Sequence, residues 1–189
     1  MQEKISTFIT KHQYSRALEY LSIALASSPE DTTFRIQRAF CYIKTLNYDG
    51  AMHEYDMLLE KDAIGISDKI NLLELYCILG KREQFAKVFA DNKVAIENSA
   101  RLPSLIAYLH AASAYFADDH QELIRIIRQY LPTHKPEYLL TPSRWDFSDV
   151  LSALNQRPAS PDKVIFTQFI TVLQGALNPT EFKKTIATQ

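Results

Sequence analysis

Five histidines, His12, His53, His110, His120 and His134, are the side chains of this chain best suited to bind a metal or move a proton. None lies in an HExxH arrangement, and no CxxC pair occurs, so a metal site would have to be assembled from distant positions. His110 and His120, with Asp118 and Asp119, form the nearest approach to a cluster. They flank one predicted turn, and a solvated hairpin tip with an N-capping Asp accounts for them without an ion. Cys41 and Cys77 both fall inside helical patterns, which predicts buried, reduced thiols in a cytosolic protein. No GxGxxG, GxxxxGK[ST] or GxSxG string is present, so the common nucleotide and hydrolase fingerprints are excluded. The acidic pairs Glu30–Asp31 and Asp118–Asp119 sit at predicted helix starts, where the helix dipole explains them. Arg125 and Arg128, with Gln129, make a small basic face, but Trp145 and Phe147 are too distant in sequence to interleave with it. No catalytic, cofactor-binding or metal-binding residue is assigned, and the chain is not expected to be an enzyme.

Composition narrows the class. The net charge of −1 calls for neither nucleic acid nor an anionic membrane as partner. Hydrophobic residues make up 47% and charged residues 23%, as in a folded soluble domain. Four glycines are too few for a fold rich in tight turns and suit helices joined by short polar links. The opening residues MQEKISTFIT lack a basic stretch followed by an apolar run, and no segment has the length of a membrane span. The expected location is cytoplasmic.

The elements that must carry any site repeat every 34 residues. Phe8, Tyr42 and Tyr76 recur at that spacing, as do Leu21, Tyr55 and Phe89; Tyr14 aligns with Tyr48, Ala17 with Ala51 and Leu25 with Leu59. Small residues let two antiparallel helices approach while large ones fill the space beside them. The register predicts helices at 2–11, 14–27, 31–45, 48–61, 67–79 and 82–91, with Ser28 capping the third ahead of Pro29. In the third repeat Phe85 stands where a small residue is expected, and the adjacent Ala86 suggests a one-residue slip. Segment 92–102 reads either as an extension of the sixth helix or as a loop.

Beyond that point helices persist without the period. Leu105, Ile106, Leu109, Ala112, Tyr115 and Phe116 follow helical spacing, and Asp119 with Glu122 starts a second helix carrying Leu123, Ile124, Ile126, Ile127 and Tyr130. Three prolines, Pro132, Pro136 and Pro142, mark 132–142 as a linker. Helices at 143–156, 161–177 and 179–187 follow. The expected organisation is a repeat region over 1–131, the linker, and a C-terminal helical cap over 143–189 that covers the open end of the fourth hairpin.

The string Phe8, Tyr14, Ala17, Leu21, Ala24, Leu25, Pro29, with its counterpart Ala39, Tyr42, Tyr48, Ala51, Tyr55, Leu58, Leu59, resembles the tetratricopeptide-repeat family. The resemblance implies an all-α fold, an α-solenoid of three to four helical hairpins with a C-terminal cap, and a partner groove lined by the first helix of each hairpin. Carried over residue by residue, that groove is Gln2, Ser6 and Ile9; then Thr33, Ile36, Gln37, Phe40, Ile43 and Lys44; then Ser67, Ile70, Asn71, Glu74, Cys77 and Ile78. Members that grip acidic chaperone tails use charged residues where this chain has Gln2, Ser6, Gln37, Ser67 and Asn71, which puts that role in doubt. The implied function is an adaptor or chaperone holding an extended or helical segment of another protein, similar to bacterial secretion chaperones with three such repeats. The alternative is a structural subunit that self-associates or joins a larger complex. A third outcome is that later helices of the chain itself cover Phe40, Ile43 and Ile70.

Overall fold

A computed structural model describes residues 1–61, 63–99, 103–133 and 147–187. Among these, every regular element is helical: α1 (Gln2–Thr10), α2 (Tyr14–Ser27), α3 (Thr32–Lys44), α4 (Tyr48–Glu60), α5 (Ile66–Leu79), α6 (Arg82–Ser99), α7 (Pro103–Phe116), α8 (His120–Tyr130), α9 (Ser148–Asn155), α10 (Pro161–Leu173) and α11 (Pro179–Ala187). The all-α fold read from the repeat is what the chain adopts. The chain divides into two compact units, Met1–Leu75 and Tyr76–Gln189, with the boundary inside α5.

One turn is built four times. His12, Leu46, Gly80 and Asp118 all take positive φ, at 56°, 61°, 70° and 54°. The residue after each donates its N–H to a carbonyl five positions earlier: Gln13 to Phe8 and Asn47 to Tyr42 at 2.8 Å, Lys81 to Tyr76 and Asp119 to Ala114 at 3.0 Å. This is a Schellman ending, which satisfies the last carbonyls of the helix and reverses the chain at once. The first three turns stand 34 residues apart and the fourth 38. The difference arises in α6, whose 18 residues exceed the 13 of α4 by more than one turn. Segment 92–99 therefore extends the helix, and residues 100–102 lie outside the described set.

The first unit centres on Ile5, Ala17, Leu21, Ala24, Phe40 and Cys41. Ala17 and Ala51 are fully buried, as close helix packing requires. Behind this apolar layer lies a buried ionic one. Arg35 of α3 donates to Glu54 of α4 at 3.1 Å and, through Nε and Nη2, to the Pro29 carbonyl at 3.0 and 2.6 Å. Arg38 reaches the other oxygen of Glu54 at 3.0 and 2.6 Å. The cap of α3 is Asp31, whose carboxylate accepts from the Phe34 N–H at 3.1 Å, and not Ser28. Pro29 instead sits in the turn, its carbonyl taken by Arg35.

In the second unit α7 is buried on nearly every face, from Ser104 to Phe116. It is flanked by α6, α8 and α10. Phe85 is fully buried while Ala86 is exposed. The register therefore does not slip, and Phe85 itself fills the small-residue position, its ring 5.2 Å from Phe116 and 5.8 Å from Phe89. α8 turns Leu123, Ile124, Ile126, Ile127 and Tyr130 inward and leaves Arg125, Arg128 and Gln129 outside. α10 starts at Pro161 behind the Ser160 cap, as the sequence predicts, and ends at Leu173 rather than 177. Residues 134–142 of the expected linker, and the start of the helix expected at 143, lie outside the described residues.

Candidate partner-binding surface

Thr33, Ile36, Gln37, Phe40 and Lys44 recur at helical spacing on α3, and Ser67, Ile70, Asn71, Glu74 and Ile78 repeat the pattern on α5. Their exposure separates them. Ser6, Thr33 and Ser67 are exposed, while Ile36, Gln37 and Lys44 are half-buried. Phe40, Ile70, Asn71, Glu74 and Ile78 are buried, as is Ile43. Phe40 is a core residue of the first unit, its ring meeting Tyr14 edge-on at 5.8 Å. The accessible part of the surface is thus a set of hydroxyls, one amide, one aliphatic chain and one lysine. The Oε1 atom of Gln37 is covered and has no hydrogen-bond partner among the described residues. A carbonyl oxygen in that state gains by accepting an N–H from an incoming group.

The histidines do not gather on a common site. His110 pairs with Glu97 at 2.9 Å, and His120 pairs with Asp162 of α10 at 2.6 Å. His12 meets the Tyr14 hydroxyl at 2.7 Å. Among the described residues, no three His, Cys, Asp or Glu side chains converge as metal ligands, and Cys41 and Cys77 are buried free thiols. No helix among them is long and apolar enough to cross a membrane. His134 lies outside the described residues.

A pocket of about 560 Å³ opens between the α7 and α8 faces, with Ile106 and Ile126 on its walls and His110, Arg125 and Gln129 at its rim. Its charges are already matched within the chain. Arg125 holds Glu122 through two hydrogen bonds of 2.5 and 2.6 Å, which keeps the Glu122 carboxyl below its ordinary value of 4.5. The pocket was not visible in the sequence, because the spacing of Ile106, His110, Arg125 and Gln129 carries no signature of its own.

Residues 8–63 match the family model described as tetratricopeptide repeat. The chain carries tetratricopeptide repeats. The matched segment holds the first two positive-φ turns and the whole Arg35–Glu54–Arg38 network, so the recurring turn and the family match fall on the same part of the chain. No curated protein and no solved structure matches the chain. Tetratricopeptide repeats are protein-interaction modules, typically without catalytic activity, and binding another protein is the general role this chain shares with them.

Proposed function

We propose that this tetratricopeptide-repeat chain is a cytoplasmic, non-catalytic adaptor or chaperone that holds a peptide or helical segment of another protein. The partner lies along the accessible face of the first helices, against Ser6, Thr33, Ile36, Gln37, Lys44 and Ser67. The observation that carries this reading is the covered, unbonded Oε1 of Gln37, flanked on the same helix face by exposed Thr33 and half-buried Ile36. An amide acceptor beside an aliphatic side chain suits a segment offering a backbone or side-chain N–H next to an apolar group. Lys44 is the single charged side chain of that accessible set, which favours an uncharged or weakly acidic segment over a strongly anionic tail. Buried free thiols suit a reducing compartment.

The test is site-specific crosslinking in the cells that make the protein. A photoreactive residue at Thr33 or Ser67 is expected to give one discrete adduct with a second protein, and one at the exposed Lys183 on α11 is expected to give none. An adduct from Lys183 alone would overturn the assignment of the face. A native mass equal to a multiple of this chain, without any other protein, would give the structural-subunit reading instead.

A further inference from the structure

Counting back from the positive-φ residue of each turn gives the first helices a common scale. Ile36 and Ile70 stand ten residues before Leu46 and Gly80, and Tyr108 stands ten before Asp118. Ile43, Cys77 and Tyr115 stand three before, and Lys44, Ile78 and Phe116 two before. Tyr108, Tyr115 and Phe116 are therefore the fourth-hairpin members of the stripe assigned above to partner binding.

In the fourth hairpin that stripe is occupied. Phe166 of α10 stacks on Tyr108, with ring centroids 5.9 Å apart and planes at 15°, and on Tyr115 at 4.9 Å and 18°. Phe147 reaches the same Tyr108 ring at 4.9 Å. Arg157 lies over the Phe116 ring at 5.6 Å and donates to the carbonyls of Cys77 and Ile78, the latter at 3.2 Å. Each of these contacts falls on a stripe position. Offset aromatic stacking contributes beyond simple burial, so Phe166 has the character of an anchor.

We propose that α10 is a ligand in cis. It fills, in the fourth hairpin, the face by which the earlier hairpins take a partner, and it thereby identifies the partner class as an amphipathic helix led by an aromatic side chain. The inference rests on reading that face as partner-binding. Two features suit an occupant that can leave. Thr167 Oγ1 and Gln168 Oε1 of α10 are covered without a hydrogen-bond partner among the described residues, and release returns both to water. The polar ties of this segment, His120–Asp162 and Arg157 to the two carbonyls, are a few bonds that water replaces.

The experiment uses the full chain and a fluorescein-labelled synthetic peptide of residues 159–176, read by anisotropy. Weakening α10 in cis should free its seat, so Phe166→Ala in the full chain is expected to bind the peptide at least tenfold more tightly than the wild type. The same peptide carrying Phe166→Ala should lose that binding, as should a second substitution, Tyr108→Ala, in the protein. Should Phe166→Ala fail to melt cooperatively, Arg157→Ala removes the polar tie with less loss of core volume and is expected to gain at least threefold. A folded variant that binds the peptide no better than the wild type overturns the inference. So does loss of cooperative folding in both variants, which would make α10 an inseparable part of the core. The measurement needs no external partner. Absent crosslinks from Thr33 and Ser67 therefore sink the partner reading, while failed peptide binding with those crosslinks intact sinks this inference alone.

Discussion

Arg35 Nη1 donates to Glu54 Oε2 at 3.1 Å with both residues buried, 8% and 1% exposed, so α3 and α4 are joined by an ion pair closed off from water. Glu54 is the shared acceptor, because Arg38 takes its other oxygen. Removing it leaves a buried guanidinium without its counter-charge, which costs about 3–5 kcal/mol. Glu54→Ala is expected to lower the thermal midpoint sharply, or to prevent folding of the first unit. Arg38→Ala should cost less, since Arg35 still neutralises the carboxylate. Chemical denaturation of the two variants checks the order. Equal, small losses would mean that the network contributes little.

The left-handed turns give a reciprocal prediction. Leu46 holds φ of 61° while 63% exposed, and Gly80 holds the equivalent position at 70°. A side chain in that region costs roughly 1–2 kcal/mol, against roughly 0.5–1 kcal/mol for the greater freedom of glycine in the unfolded chain. Leu46→Gly is therefore expected to be neutral or stabilising by about 0.5–1 kcal/mol. Gly80→Ala should destabilise, with its Cβ also brought to 3.4 Å from Arg157 Nη2. Urea midpoints read both, and destabilisation by Leu46→Gly would contradict the assignment of strain.

The same turns explain what the sequence could and could not tell. Phe8, Tyr42 and Tyr76 announced the first three hairpins because their carbonyls close identical Schellman endings, and that geometry fixes the spacing. The fourth hairpin keeps the turn but stands 38 residues on, so a fixed 34-residue comparison passes it by. Phe85 read as a misfit because residue size at one position says nothing of the larger space that Phe89 and Phe116 leave for it. Family resemblance placed the groove stripe on α3 and α5, but burial of Phe40 and Glu74 depends on what packs around them, which periodicity does not encode. The Arg35–Glu54 pair was invisible for a similar reason: its members lie 19 residues apart on different helices.

A pH dependence follows from Glu122. The Arg125 guanidinium holds its carboxyl below 4.5 in the folded chain, so folding is favoured wherever the unfolded carboxyl would be ionised, and the gain disappears as pH falls through the depressed folded value. The pair is largely solvated, with side chains 60% and 39% exposed, so the gain is held to about 0.2–1 kcal/mol. Glu122→Gln should thus be slightly less stable than the wild type at pH 7, with the difference shrinking below pH 4.5 and in high salt. A difference that grew on acidification would show the opposite sign of coupling.

The C-terminal helices cover a large apolar area of the second unit, and removing them tests what that cover is worth. Phe147, Phe166, Phe169, Ile170 and Leu173 are all buried, with Phe169 edge-on to Tyr130 at 5.8 Å and Phe166 stacked on Tyr115. Burying each such side chain contributes about 1.5–3 kcal/mol, and a chain ending at residue 142 forgoes all of them. It also bares Tyr108, Tyr115 and Tyr130 and frees the Arg128 guanidinium from the Ile186 carbonyl, its 2.8 Å partner on α11. The fragment 1–142 is expected to bind hydrophobic dyes, to self-associate, and to lose its single cooperative melt. The wild type under the same conditions should do none of these. If the fragment instead stays monomeric and melts at the wild-type temperature, the C-terminal helices form a module that the fourth hairpin does not need. Their apolar face would then have to be explained by a partner rather than by the fold.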